Sequence, residues 1–354
     1  MNIIPFFLAT LVIAATAMPL LRSDHWWIRV FDFPRAQITV AGVVLIFLCL
    51  YFRNPQHLYE SMVLGLLVLA VGYQMIRMAP YTVLASKQVL PAEFPKNDAR
   101  ISLLIANVLM DNRAAGAFLD IAHRDNPDII LTVETDQWWE KALRPLEESY
   151  PYRVKNPLGN TYGMLVYSRL EIIDPEIRFI LNDQIPSMHM AVALPSGDRV
   201  FLHFVHPDPP NPRYATETTQ RDAEVLIVGR EVEQRGKPTI VAGDFNDVAW
   251  SRTTRLFQKT SGLLDPRIGR GMHNTYNAKN PLMRWPLDHV FHSDHFKLVR
   301  MKRGPAWGSD HFPVFIELSL EPEAQAQQEE PDTDRAEAHQ VDEKIEDGRQ
   351  ATNE

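Results

Sequence analysis

With 354 residues, a formal net charge of −8 and a single cysteine, the chain has room for one large domain plus additions. A disulfide framework within the chain and a cysteine-built zinc site are both excluded. The acidity is local: residues 321–354 hold twelve acidic and three basic side chains, which leaves the body at a net of +1 and gives no composition-level sign of a strongly basic nucleic-acid surface.

The first 80 residues differ from the rest. Ile3–Leu21, Ala36–Phe52 and Ser61–Ile76 are uncharged apolar runs of 19, 17 and 16 residues, against the roughly 17–25 that a bilayer span needs. Trp26 and Trp27 after the first run, and Tyr51 and Tyr73 in the later ones, resemble interfacial anchors. A cleaved signal peptide is the alternative for the first run, but the basic start is missing and two more apolar runs follow. A buried helical hairpin in a soluble domain is another alternative. The reading adopted is a membrane region at 1–79 with three spans, at 3–21, 36–52 and 61–76, in a multi-pass protein of the plasma (inner) membrane. Arg22, Arg29 and Arg35 in the first loop against Arg53 in the second lean that loop, and with three spans the large domain, toward the cytoplasm.

Residues 80–99 read as a linker. Beyond it, short apolar, often β-branched runs predict strands at Ser102–Ala106, Asp128–Val133, Gly163–Tyr167, His189–Leu194, Val200–Val205, Thr239–Ala242, His289–Phe291 and Val314–Leu318. Helical spacing appears at Arg113–Arg124, Gln137–Glu148 and Thr216–Gln234, and Pro195-Ser196-Gly197-Asp198 is a hairpin turn signal. Hairpins mixed with crossover helices argue for mixed sheets packed together with helices outside, over a domain at 100–320. From Glu321 onward, low apolar content and high charge predict a disordered tail.

Polar residues recur at strand ends. Asn107 follows Leu103–Ala106, Glu134 follows Ile129–Val133, and His206 follows Phe201–Val205. Asp244 and Asn246 close Thr239–Gly243, Asp288 opens Leu287–Phe291, and Asp310 and His311 precede Phe312–Leu318. Each alone fits a turn or a cap. Six strand-edge sites of compatible chemistry in one domain suit binding a hard divalent cation and moving a proton beside a phosphate. Ser-Asp-His-Phe occurs twice, at Ser293–Phe296 and Ser309–Phe312. The first copy reads as a hairpin loop, so the chemistry is assigned to the second, flanked by Gly308 and Pro313.

The order Asn, Glu, His, Gly-Asp-Phe-Asn, Leu-Asp-His, Ser-Asp-His-Phe-Pro resembles the endonuclease/exonuclease/phosphatase, or DNase I-like, superfamily over about residues 100–320, and the membrane front end resembles bacterial members of it. The resemblance implies a four-layer α/β sandwich, two mixed β-sheets flanked by helices. It implies Mg²⁺, with Mn²⁺ as the other candidate, on Glu134, Asn107 and Asp310. His311 would touch the scissile phosphate or take a proton from water, oriented by Asp288. Asp244 would position or deprotonate water, or protonate the leaving oxygen, and Asn246 and His206 would donate hydrogen bonds to phosphoryl oxygens. The function expected is a membrane-anchored, Mg-dependent phosphodiesterase or phosphatase using in-line attack of water. A DNA or RNA nuclease and a catalytically silent membrane scaffold are the alternatives, so lipid head groups and nucleic acid both stand as partners. Arg213 and Arg221 could reach phosphate, although a solvated helix face suits them at least as well.

Overall fold

The computed structural model describes residues 3–209 and 217–353; Pro210, Arg213 and Thr216 of the sequence reading lie outside the described residues. Three long helices open it: α1 (Ile4–Ala17, prolonged by a 3-10 turn to Leu21), α3 (Arg35–Phe52) and α4 (Leu58–Met78), with one turn, α2 (Trp26–Arg29), after the first. Each is long and apolar enough to cross a membrane, the third over 24 residues from Leu58 to Tyr81. Glu60 does not delay that helix, because its carboxylate is satisfied at the first turn by the Asn54 N–H at 2.6 Å. The three pack on Phe6, Ala9, Leu45, Cys49, Leu64 and Leu67, while Phe7, Phe47, Leu69 and Ile76 face outward and exposed. An outward apolar surface of that extent is unsuited to water. At the end nearest the domain, a buried polar network ties all three together. Arg35 donates to Gln74 Oε1 at 2.7 Å and to Asp32 at 2.6 Å, and Gln74 donates to Thr16.

The domain consists of two mixed sheets. The first contains β1 (Arg100–Asn107), β2 (Ile129–Val133), β3 (Tyr152–Asn156), β4 (Met164–Ser168), β10 (Phe296–Arg303) and β11 (Val314–Leu320), in the order β10-β11-β1-β2-β4-β3. The second contains β5 (Ile172–Arg178), β6 (Ser187–Ala193), β7 (Arg199–Phe204), β8 (Thr239–Asp244) and β9 (Asp288–His292), in chain order. Only β1/β2 and β7/β8 run parallel. The two-residue period of a strand builds the layers. In β1, Ile101, Leu103 and Ile105 enter the core between the sheets, while Leu104 and Ala106 face an outer layer of α5 (Ala115–Asp125) and α6 (Gln137–Ala142). In β8, Ile240 and Ala242 face the central core; Val241 faces α7 (Thr219–Arg235) and α8 (Arg252–Ser261).

Two expectations are corrected here. The segment Ser293–His295 is not a hairpin loop: β9 pairs with β8 in one sheet and β10 with β11 in the other, so it carries the chain between the sheets. The tail is not without structure either. Helix α9 (Arg335–Asn353) lies along α7, burying Val341 and Ile345, and Lys344 donates to Asp222 at 2.9 Å and to Asp24 at 2.7 Å. Two apolar side chains and one lysine on a buried carboxylate anchor a helix whose average composition is polar.

The domain docks on the helix ends through the loops after β8 and before β9. Arg77 donates to the Trp250 carbonyl, Trp250 Nε1 to the Asp32 carbonyl and Tyr81 Oη to the Ala249 carbonyl, each at 2.7 Å. Gln37, in the first turn of α3, donates to the Leu282 carbonyl at 2.8 Å, and Phe33 meets Trp285 edge-on.

Candidate active site

Gly243 has to be glycine. Its φ is +146°, and a Cβ there would stand 1.9 Å from the Val205 carbonyl oxygen, where parallel β7 and β8 converge. That close approach brings His206 beside Asp244. Gly243→Ala is therefore expected to cost about 3 kcal/mol or more, seen as a fall in the thermal midpoint of the full chain in detergent. An unchanged midpoint would rule this account out.

Asn107, at the end of β1, is buried, and its amide nitrogen donates to Glu134 Oε1 at 2.7 Å and Asp244 Oδ2 at 3.0 Å. Its amide oxygen accepts from the Leu109 N–H, which settles which end is which. Glu134 sits at φ +60° just past β2. Burial raises its pKa, with Asp244 adding and His206, Asn107 and His311 opposing. From the opposite sheet, Asp244 Oδ1 accepts from the Asn246 N–H, and Asp244 Oδ2 lies 3.6 Å from His311 Nε2 and 4.0 Å from His206 Nε2. His311 Nδ1 is 2.8 Å from Asp288 Oδ2. Burial alone would lower the His311 pKa, but Asp288, Asp244 and Asp310 overcome it and push it up to about 10. That direction favours a ring that donates from Nδ1 to Asp288 and presents Nε2–H to Asp244. Burial, reinforced by Asp244, raises the Asp288 carboxyl, whose Oδ1 is buried without a partner among the described residues.

The structure thus gathers Asn107, Glu134, His206, Asp244, Asp288 and His311 into one recess between the ends of the two sheets. Asp310 stands at its rim: its carbonyl accepts from the Ala278 N–H at 2.6 Å, and its carboxylate makes no hydrogen bond among the described residues. Asn246, at φ +49°, donates to the Pro207 carbonyl at 2.9 Å and so pins the His206 loop. Buried His206 Nδ1 has no partner among the described residues, a donor or acceptor left for a ligand.

The recess fits a hard cation: the buried Asp244 and Asp288 carboxylates and the half-buried Glu134 converge there with no lysine or arginine bound to them among the described residues. Asp244, Asp288 and His311 place ligand atoms within 4.8 Å of one another. Asp288 and His311 already spend one atom each on their mutual hydrogen bond, which favours Glu134 and its neighbours as the oxygen donors. A second group within that distance, His189, His203 and Glu231, does not fit a metal. Arg235 donates to His203 Nε2 at 2.7 Å, so His203 carries its proton on Nδ1 and donates to His189 Nδ1 at 2.6 Å. His189 then donates from Nε2 to Ser187, and Arg178 holds Glu231 by two hydrogen bonds. Every nitrogen lone pair of that relay is used.

Several contributors escape sequence reading. Ser309 Oγ donates to the Asn107 carbonyl at 2.8 Å and accepts from the His311 N–H at 3.0 Å, joining the first and last strands of the site. The Tyr276 ring lies 5.0 Å from that of His311, and the Tyr162 ring 5.6 Å from that of His206. Arg221 is not on a solvated face: it is buried, donating to the Asn246 carbonyl at 3.1 Å, to Asp222 and to Asp247. Its only sequence signal is position on α7.

The family's sequence profile, described as the endonuclease/exonuclease/phosphatase family, matches residues 104–311. The chain belongs to that family. Among solved structures it is similar to zebrafish (D. rerio) TDP2 complexed with a single-strand DNA product, at 17% identity, TM-score 0.53, and 63% of this chain against 100% of that one. It is also similar to an endonuclease/exonuclease/phosphatase from Beutenbergia cavernae at 16% identity, TM-score 0.52, covering 63% and 72% of the two chains. The human Nocturnin catalytic domain with bound sulfate gives 15%, 0.52, and 68% and 99%. At such identity these likenesses show the fold, the two mixed sheets of the family. No curated protein matches the sequence.

Beside the family's recess, burial and then Asp208 push the Glu224 carboxyl up to about 8. A group raised above its ordinary 4.5 adds stability that is whole below that value and lost as pH rises through 8. Glu224→Gln should therefore flatten the pH dependence of the thermal midpoint between pH 6 and 9 and stabilise the protein at the alkaline end by a few kcal/mol, at about 1.4 kcal/mol per pH unit. Parallel wild-type and variant profiles would refute this.

Proposed function

We propose that this family member is a membrane-anchored, metal-dependent phosphoesterase that cleaves a phosphate ester by in-line attack of water. The observation that carries the reading is the recess in which the Asp288–His311 pair faces Asp244 and Glu134 across the two sheets. In this reading Glu134, Asn107 and Asp310 hold Mg²⁺, or Mn²⁺, which when bound supplies charge for the phosphoryl oxygens and the nucleophile. Asp244, acceptor-rich and buried, orients the attacking water and takes its proton. His311, kept protonated and oriented by Asp288, donates to the phosphate as negative charge builds there; His206 adds a second donor, and Asn246 holds the His206 loop in place.

Three spans put the first loop and the domain on one side of the bilayer, and the bonds between the domain and Asp24, Arg29 and Asp32 support that reading. The charge bias makes that side the cytoplasm, in the plasma (inner) membrane. The loops that frame the recess also rest on the helix ends, and exposed Leu282 and Met283 project beside the first turn of α3. Loops that frame the recess and also rest on the helix ends support a phosphodiester of lipid origin over duplex DNA, since tethering raises the local concentration of head groups. The DNA product belongs to the zebrafish protein; a nuclease here remains the second reading, favoured by the fold alone. A silent scaffold would have no reason to keep the whole set of side chains.

The test is hydrolysis of bis(p-nitrophenyl) phosphate by the full chain in detergent, with and without Mg²⁺, followed by phospholipid vesicles and a single-stranded oligonucleotide. Metal-dependent turnover of the vesicles but not the oligonucleotide is the expected result. Turnover of the oligonucleotide alone, with a steep loss on adding salt, would give the nuclease. No turnover by folded protein on any of the three would leave the scaffold.

A further inference from the structure

Away from the recess, at the level where α1 and α4 end, a cavity of about 580 Å³ opens between the membrane helices and the pair α8–α9. Six cations line it: Arg22, Arg35, Arg77, Arg252, Arg255 and Lys259. Two are neutralised, Arg35 by Asp32 at 2.6 Å and Lys259 by Glu337 at 2.7 Å. Of the other acids, Glu343 pairs with His339, and Asp334 accepts from the Glu337 N–H as the cap of α9. Arg22, Arg77, Arg252 and Arg255 have no carboxylate within ion-pair distance among the described residues.

Two further observations point to a missing anion. The Nε atoms of Arg35 and Arg77 are buried without a hydrogen-bond partner, and the Arg35 side chain is only 1% exposed. Burial, with Arg22 and Arg29 nearby, also lowers the Arg252 pKa, the mark of a guanidinium desolvated among like charges. Arg252 opens the ten-residue helix α8, whose N-terminal end adds partial positive charge to the same place. Below the arginines, Leu20 lines the cavity and Leu21 is exposed beside it, so an acyl chain leaving the cavity meets an apolar surface that continues down α1.

We infer that this cavity holds the phosphate of a phospholipid head group, bound by Arg22, Arg77, Arg252 and Arg255 at the bilayer surface. It is distinct from the catalytic recess, and it rests on the reading that the three helices span a membrane. Fork-shaped guanidinium groups match phosphate oxygens by paired hydrogen bonds, and a juxtamembrane basic cluster gains from an anionic leaflet. The lipid would act as a wedge between the span ends and α8–α9, closing a gap that protein groups leave charged.

The test is native mass spectrometry of the full chain in detergent after addition of phosphatidylglycerol, comparing the wild type with Arg22→Gln/Arg252→Gln and with Arg255→Gln. The wild type should retain one lipid at an occupancy at least five-fold above that of the double variant, and Arg255→Gln should fall between. Hydrolysis of the soluble diester at the wild-type rate would show that the variants are folded. Equal retention in all three proteins, or none in the wild type, overturns the proposal. So does displacement of the lipid by an equal concentration of inorganic phosphate, which would make this a site for the free anion. Lipid retention lost in the variants of a protein that hydrolyses nothing would sink the catalytic reading and leave this one standing. Recovery of the wild type in the soluble fraction after lysis would instead remove the membrane reading and this inference with it.

Discussion

His311→Ala should lower kcat for a phosphodiester by about 10³-fold, with Asp288→Asn lowering it by about 10²-fold and the pair together costing little more than His311→Ala alone. The reason is geometric. Asp288 Oδ2 lies 2.8 Å from His311 Nδ1, the contact through which its charge reaches the site, so its contribution passes chiefly through the ring. In Asp288→Asn the ring loses the largest of the charges that keep it protonated and the carboxylate that fixes Nδ1. Asp244→Ala should be at least as severe, since Asp244 joins Asn107, His311 and the Asn246 N–H. Steady-state kinetics with saturating metal check all four variants. Full additivity of Asp288 and His311 would show that they act separately and would remove the orienting role.

The second large effect lies outside the recess. Arg29→Ala should destabilise the protein by about 3–5 kcal/mol, the usual cost of leaving a buried charge without its partner. Asp222 and Asp247 are both buried, and Arg29 reaches Asp247 at 3.1 Å and Thr253 at 3.1 Å. Although burial opposes it, Lys344, Arg221 and Arg29 hold the Asp222 pKa far below the carboxylate range; for Asp247, burial wins and the pKa is raised. Only Arg221 of these cations lies between residues 96 and 320. A fragment of that span would therefore keep two buried carboxylates with one arginine, and it should aggregate or unfold without a cooperative transition, as read by circular dichroism on heating. A fragment as stable as the full chain would mean that the pairs with Arg29 and Lys344 contribute nothing. Because Asp247 follows Asn246 directly and Arg221 binds the Asn246 carbonyl, the same loss should reach the recess.

Most of the sandwich is legible in the sequence, and its blind spots share a cause. The strands that periodicity finds, from Ser102–Ala106 to Val314–Leu318, are all apolar runs, and their counterparts are buried along most of their length. The three it misses, β3, β5 and β10, are sheet edges, half-exposed and charged on the open side, as edges must be to avoid pairing with another chain. In β5, Asp174 and Pro175 form an irregularity in the pairing with β6 that hides the strand further. Of the site, the residues at strand ends come together because the sheets aim them. Asp310 stays at the rim because its position in the connection before β11 sets a direction that spacing does not encode. Arg221 and α9 elude the sequence for one reason: a charged residue looks solvated until the carboxylate that buries it is found, and here the partners lie in distant segments.

The order of strands in the first sheet has a consequence in time. β1 pairs with β2 on one side and with β11 on the other, so its central place stays half empty until the last strand is made. Asn107 leaves the ribosome some two hundred residues before Ser309, to whose hydroxyl its carbonyl will bind. Pairings so distant in sequence form late and slowly. The three apolar helices precede the domain, with Arg29 and Arg35 waiting at their ends, and the recess closes only when β11 has been made. A nascent chain stalled before residue 311 would hold every other side chain of the recess, from Asn107 to Asp288, without His311 and without the strand that completes β1 beside them.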